Sequence, residues 1–218
     1  MGEYIFKDTV YDECVAQDAI KNRRIWFNEE VNEQSCTKVI YLLNKLKKMD
    51  EVEGVKKPIT LIQNSPGGIC YQGLMLISKI QSMIKEGYEI ITITGGMSAS
   101  MSFLIGICGS KRLGMRYSSF LCHQPSSGVF DTALKIKRAS EEIDRLWSIS
   151  KEIIKEHTDM SDELLDNIYN TDRDYIIDSK RALELKIIDE IIWYKRLYRC
   201  NNISEVKLLC VRNLKMKN

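Results

Sequence analysis

Only two histidines occur in the 218-residue chain, His123 and His157, so chemistry that needs an imidazole has little choice of residue. Seven cysteines are present, but no two form a C-x-x-C pair. Their odd number and wide spacing exclude the usual structural zinc cluster, and they read as single core thiols in a reducing compartment. An excess of one charge is also lacking. The 32 basic and 30 acidic side chains leave +2, without the basic surface on which nucleic-acid binding rests. Long apolar runs are missing too. The longest mainly apolar stretch, Met101 to Cys108, is interrupted by Ser102 and Gly106 and is far too short for a bilayer. A soluble chain without membrane contact is expected. Phe6 to Ala19 carries acidic residues that secretory and transit peptides avoid. No repeat or low-complexity tract occurs.

What is present is an ordinary globular composition, 44% hydrophobic and 28% charged, with enough chain to bury a core unaided by metal or disulfide. Strand and helix patterns alternate. Arg24 to Phe27 reads as a strand, and Ser35 opens a helix with an apolar stripe of Val39, Ile40, Leu42, Leu43 and Leu46. Met49 to Lys57, charged and containing Gly54, reads as a loop. Pro58 to Ile62 is a strand that ends at Asn64-Ser65-Pro66-Gly67-Gly68. Gln72 to Glu86 is a helix stopped by Gly87, and Tyr88 to Thr94 is the next strand, ending at Gly95-Gly96. Such alternation predicts an α/β fold with a layered, mainly parallel sheet. From Thr132 to His157 the period changes to a long amphipathic helix, about seven turns, with Ile136, Ala139, Ile143, Leu146, Trp147, Ile153 and Ile154 on one stripe. It is expected to project from the head and to bury that stripe on its own chain or a second subunit. Leu164 to Asn170 and Ser179 to Leu185 are shorter helices, and Ile187 to Trp193 is a last strand.

Three loops converge where a parallel sheet places its ligands, at the carboxyl ends of the strands. Gly67-Gly68 allows close approach of backbone N–H groups to a ligand, as an oxyanion hole requires, or else forms a tight turn. In Gly96-Met-Ser-Ala-Ser-Met101, small residues open a helix, and a serine there is either a nucleophile or an N-cap. His123-Gln124-Pro125 follows a strand, Ser119 to Cys122. A fourth element, Thr171-Asp-Arg-Asp-Tyr175, offers a carboxylate able to fix an imidazole tautomer. His157, at the charged end of the long helix, reads as a solvated surface residue.

In order, Asn-Ser-Pro-Gly-Gly68, Gly96 to Met101, Lys111-Arg112, His123-Gln-Pro125 and Thr171 to Asp174 resemble ClpP, the proteolytic subunit of ATP-dependent Clp proteases, over roughly Arg24 to Trp193. The resemblance implies a crotonase-like α/β head (residues 24–130 and 158–195) and a handle helix (131–157). An N-terminal axial segment (1–23) and a polar tail (196–218) complete the chain. It also implies heptameric rings of this chain and catalytic ClpP subunits, stacked in pairs and fed with unfolded proteins by a AAA+ unfoldase of the ClpC or ClpX kind. No cofactor or metal is implied. Carried over to this sequence, His123 is the general base, Asp174 orients it, and the N–H groups of Gly68 and Met101 form the oxyanion hole.

Three registers compete for the nucleophile. The motif gives Ser100, the family's interval back from His123 gives Ser98, and the helix beginning Phe103-Leu-Ile105 puts Ala99 there. Ser102, Arg116, Ser126 to Phe130 and Lys186 stand where the family has glycine or proline. These departures most resemble ClpR, the non-catalytic paralogue, and imply a structural subunit in a plastid-type organelle stroma, or in the cytoplasm otherwise. An active serine endopeptidase is the alternative, and a crotonase-type acyl-CoA enzyme a third. At the ring–ring interface the resemblance pairs Arg173 with an acidic residue early in the handle, where this chain has Lys135 and Lys137. Like charges in contact cost energy. Rings of this chain alone are therefore expected to stack weakly and to prefer a ClpP ring.

Overall fold

The computed structural model describes residues 13–126 and 128–193. The outermost stretches assigned above to an axial segment and a polar tail, 1–12 and 196–218, lie outside the described residues. Helix α1 (13–22) is described from residue 13 on. It is followed by β1 (Arg24–Phe27), α2 (Glu33–Glu53), β2 (Ile59–Ser65), α3 (Cys70–Lys85), β3 (Ile90–Ala99) and α4 (Met101–Ile107). Then come β4 (Lys111–Met115), β5 (Ser119–Cys122), α5 (Ala133–His157), α6 (Asp162–Thr171), β6 (Tyr175–Asp178), α7 (Ser179–Glu184) and β7 (Glu190–Ile192). The mixed α/β architecture with a mainly parallel sheet is the one expected.

Seven strands form the sheet, in the order β1-β2-β3-β4-β7, all parallel, with β5 parallel to β3 and β6 antiparallel to β5. Strand β3 is shared. Ile91 to Thr94 pair with β4, whereas Met97 to Ala99 pair with β5. The turn expected at Gly95-Gly96 is absent, because the strand continues through it and exchanges one neighbour for another. Strands β4 and β6 escaped the sequence reading. Ile187 to Ile188, read as the start of the last strand, precede β7 and are buried in the core.

Polar residues in unexpected places explain the other differences. Helix α2 runs on through the charged stretch to Gly54, which adopts the left-handed conformation (φ 68°) that ends it. It continues because Asp50, 1% exposed, faces inward and receives the fork of Arg23 at 2.6 and 3.1 Å, together with the Lys57 N–H. Its start, at Glu33, is fixed by a reciprocal Asn32–Ser35 capping box. Helix α1 belongs to the head: Ala19 is in the core, and Asp18 accepts from Trp26 Nε1 at 2.7 Å and from Arg24. Arg112 closes the far side, bonding Asp189 of the loop before β7 and the carbonyl of His157. His157 is not a free surface residue. Its ring nitrogens lie 2.9 Å from the Ile153 carbonyl and 3.0 Å from Gln81 Nε2.

Helix α5 is the expected handle. Its second half is anchored, with Ile154 and Trp147 buried and Trp147 stacked on Tyr169 of α6 at 5.5 Å. Tyr71 of α3 donates to Glu142, and Arg145 beside it holds that carboxyl down to about 2. In the first turns Leu134 and Ile136 stay exposed, so the predicted stripe is covered by its own chain only in part. No described helix is long and apolar enough to cross a membrane.

The Arg23–Asp50 pair yields a test. Removing one partner of a buried ion pair strands the other, and Asp50→Ala is expected to cost about 3–5 kcal/mol. The readout is the urea unfolding midpoint, and a loss below about 1 kcal/mol would contradict this account.

Candidate active site

The end of β2 builds the floor of the site. Asn64 accepts the Met97 N–H at 2.9 Å, and Ser65 accepts the Gly67 N–H at 3.3 Å. Gly67 O accepts from Val31 N–H and Val31 O accepts from Ile69 N–H, which pins both sides of Gly68. The Gly68 N–H itself has no acceptor among the described residues. Both glycines are required. A Cβ on Gly67 (φ 95°) would lie 2.6 Å from Ala99 O and Ser100 Cβ, and one on Gly68 (φ 146°) would lie 2.4 Å from Val31 O.

Above this floor β3 turns sharply into α4, and Ser100 is the residue at the turn. Its φ of 54° and ψ of −126° are rare for a residue with a side chain. The Ser100 N–H donates to Leu121 O at 2.9 Å, and its carbonyl accepts from Phe103 N–H. Ser100 is the N-cap residue of α4 by position, but its hydroxyl makes no cap bond to the helix. The Met101 N–H, first in the helix, has no partner among the described residues.

The two other registers lead elsewhere. Ala99 is buried and paired with Leu121 in the sheet. Ser98, 1% exposed, accepts from Gln63 Nε2 at 2.5 Å and donates to Ser102 O at 3.1 Å, so its hydroxyl is committed inside the core.

Strand β5 delivers His123 two residues beyond Leu121, the residue that holds Ser100. The His123 Nδ1 lies 3.3 Å from Asp174 Oδ1, and no bond is found at Nε2 among the described residues. The side chain of His123 is 30% exposed and that of Asp174 63%. A second tie runs parallel to this pair: Gln124 Nε2 donates to Asp172 Oδ1 at 2.7 Å. Asp172 caps α6 in the left-handed conformation, which turns the chain toward Asp174. Sequence reasoning gave neither Gln124 nor Asp172 a role. The available signal was that each lies one or two residues from the predicted pair on a motif loop.

Thiol chemistry has no place here. Cys122 precedes His123, but burial pushes its thiol up to about 12, and that of Cys108 likewise. Among the described residues no cluster of His, Cys, Asp and Glu could hold a metal ion. The two residues assigned to a ring interface, Lys137 and Arg173, are exposed, and no ion pair within the chain involves them among the described residues. Lys135 differs, since Asp131 neutralises it at 2.8 Å and removes one of the two like charges anticipated there.

Comparison with known proteins agrees with the geometry. The profile of the family described as Clp protease matches residues 8–195. Proteolytic subunits of the ATP-dependent Clp protease from Dehalococcoides mccartyi strains BAV1, 195 and CBDB1 are each 32% identical to this chain over 177 residues. The match covers 79% of this chain and 83% of theirs.

The buried thiols give a second test. At pH 8 a thiol with a pKa near 12 is neutral and unreactive, so iodoacetamide should modify the exposed Cys14 and spare Cys108 and Cys122 until the protein is unfolded. Peptide mapping reads the result, and native labelling of Cys122 would refute the packing described.

Proposed function

The chain belongs to the Clp protease family, and from that premise we propose that it is a catalytic serine peptidase subunit acting through Ser100, His123 and Asp174. The observation that carries the reading is the strained turn at Ser100. It leaves the hydroxyl without a partner among the described residues, beside the loop of Gly67 and the strand leading to His123. In this reading Ser100 Oγ attacks the scissile carbonyl while His123 Nε2 takes its proton. Asp174, on the other ring nitrogen, holds the tautomer and stabilises the imidazolium. The oxyanion of the tetrahedral intermediate lies between the N–H groups of Gly68 and Met101, two donors of the site without an acceptor among the described residues. His123 then returns the proton to the leaving amine, an acyl-enzyme forms on Ser100, and water activated by His123 releases it.

The family premise extends the proposal to assembly. The exposed start of α5, and Arg173 and Lys137, which make no ion pair among the described residues, suit contact with a facing ring, made of this chain or a related proteolytic subunit. An ATP-driven AAA+ unfoldase would supply unfolded chains. A second reading, a non-catalytic ring member like ClpR, is favoured by the exposure of Asp174, since a carboxylate open to water orients an imidazole weakly.

A fluorophosphonate probe separates the two. One adduct per chain at Ser100 is expected, together with hydrolysis of unstructured peptides that falls by roughly 10⁴-fold or more in Ser100→Ala. Neither adduct nor hydrolysis in the assembled protein would leave the non-catalytic reading standing.

A further inference from the structure

Beneath the Ser100 turn lies a polar side chain that the proposed mechanism does not use. Gln63 belongs to β2, is 0% exposed, and is surrounded by strands and by α4. Its amide nitrogen donates to Ser98 Oγ at 2.5 Å and to Ser102 O at 3.3 Å, and Thr94 Oγ1 lies 3.5 Å away. The amide oxygen has no partner among the described residues, and neither does Ser102 Oγ. An orphaned buried oxygen lowers stability, and an apolar side chain of the same size would avoid that cost. Space has nonetheless been left for this group. A Cβ on Gly106 would stand 2.2 Å from Gln63 Nε2, so the amide fills the gap left by the glycine.

Ser98 and Ser102 are the residues two before and two after Ser100. We infer that Gln63 is a positioning residue whose single amide group, bonded to both flanks of the turn, holds Ser100 in its strained conformation. A backbone at φ 54°, ψ −126° persists only where its surroundings over-determine it. From below, the turn is fixed by this amide. From above, it is fixed by the Ser100 N–H bond to β5 and by the bare surface of Gly67. The side chain exchanges stability for geometry, the pattern expected of residues that serve a reactive centre. As it concerns reactivity, the inference rests on the reading of Ser100 as nucleophile; as it concerns conformation, it does not.

The test is Gln63→Met in the full-length assembled protein, because methionine keeps the length and volume but donates nothing. The expected result is an unchanged or raised melting temperature. Fluorophosphonate labelling of Ser100 should slow at least ten-fold, and kcat should fall by a similar factor at nearly constant KM. Labelling and kcat at the wild-type level would overturn the inference. If the wild-type protein neither labels nor turns over, the catalytic reading fails by itself, and a crystal structure of the variant decides this one. A negative φ at Ser100 supports it, and a retained positive φ overturns it. Should Gln63→Met fail to assemble, Ser98→Ala removes the other half of the bond, and the same readouts with the same opposed outcomes apply.

Discussion

The molecule is organised by one exchange of partners along β3. Its first half is a central strand of the parallel sheet between β2 and β4, and its last residues leave β4 and pair with β5. Without the exchange, β5 and its antiparallel partner β6 would have no strand joining them to the parallel sheet, and the residue after β5, His123, would not be carried to the end of β3. A glycine at the crossing permits the close approach: a Cβ on Gly96 would fall 2.7 Å from Asn64 Oδ1, the atom that holds Met97 in its new register. The site is therefore not a decoration on loops. It stands where the sheet changes direction, and its parts are tied to the backbones of β2, β3 and β5.

Around that crossing the fold relies on charged and amide groups used as internal struts. Asp50 with Arg23, Asp18 with Trp26 and Arg24, and Arg112 with Asp189 each join elements distant in sequence or close a loop. Each is fully or largely hydrogen-bonded, which is the condition under which buried charge is tolerated. The Lys111-Arg112 element of the family pattern gains a physical meaning here. Arg112 fastens the end of the handle, through His157 O, to the loop before β7. The handle is thus rigidly mounted at its base, while its first turns carry apolar residues that the chain leaves uncovered.

These struts also show why parts of the sequence misled. A stretch such as Met49 to Lys57 reads as a loop because charge normally marks solvent, and nothing local announces that Asp50 turns inward to an arginine 27 positions earlier. His157 looked solvated because its partners, Gln81 and Arg112, come from α3 and β4. Gln63, just past the Pro58 to Ile62 run, drew no reading, although it lies in β2 and is as buried as its neighbours. In every case the deciding partner is remote in sequence.

The sequence by itself determined the layered α/β class, the long handle with its period of 3.6 and the glycine pair of the floor, and its resemblance to the family put Asp174 beside His123. Those features follow from local periodicity, from glycine at positions where backbone must approach backbone, and from motif residues met in order. It left three registers open for the residue opposite His123, because a one-residue slip changes no composition and little pattern. Only the tertiary structure gave the three candidates different surroundings. Pairing of Ala99 with Leu121 fixes where β3 ends, so that Ser98 points into the core, Ala99 lies in the sheet and Ser100 alone occupies the turn. The register is set by hydrogen bonds between strands about twenty residues apart, and no local property of either strand contains it.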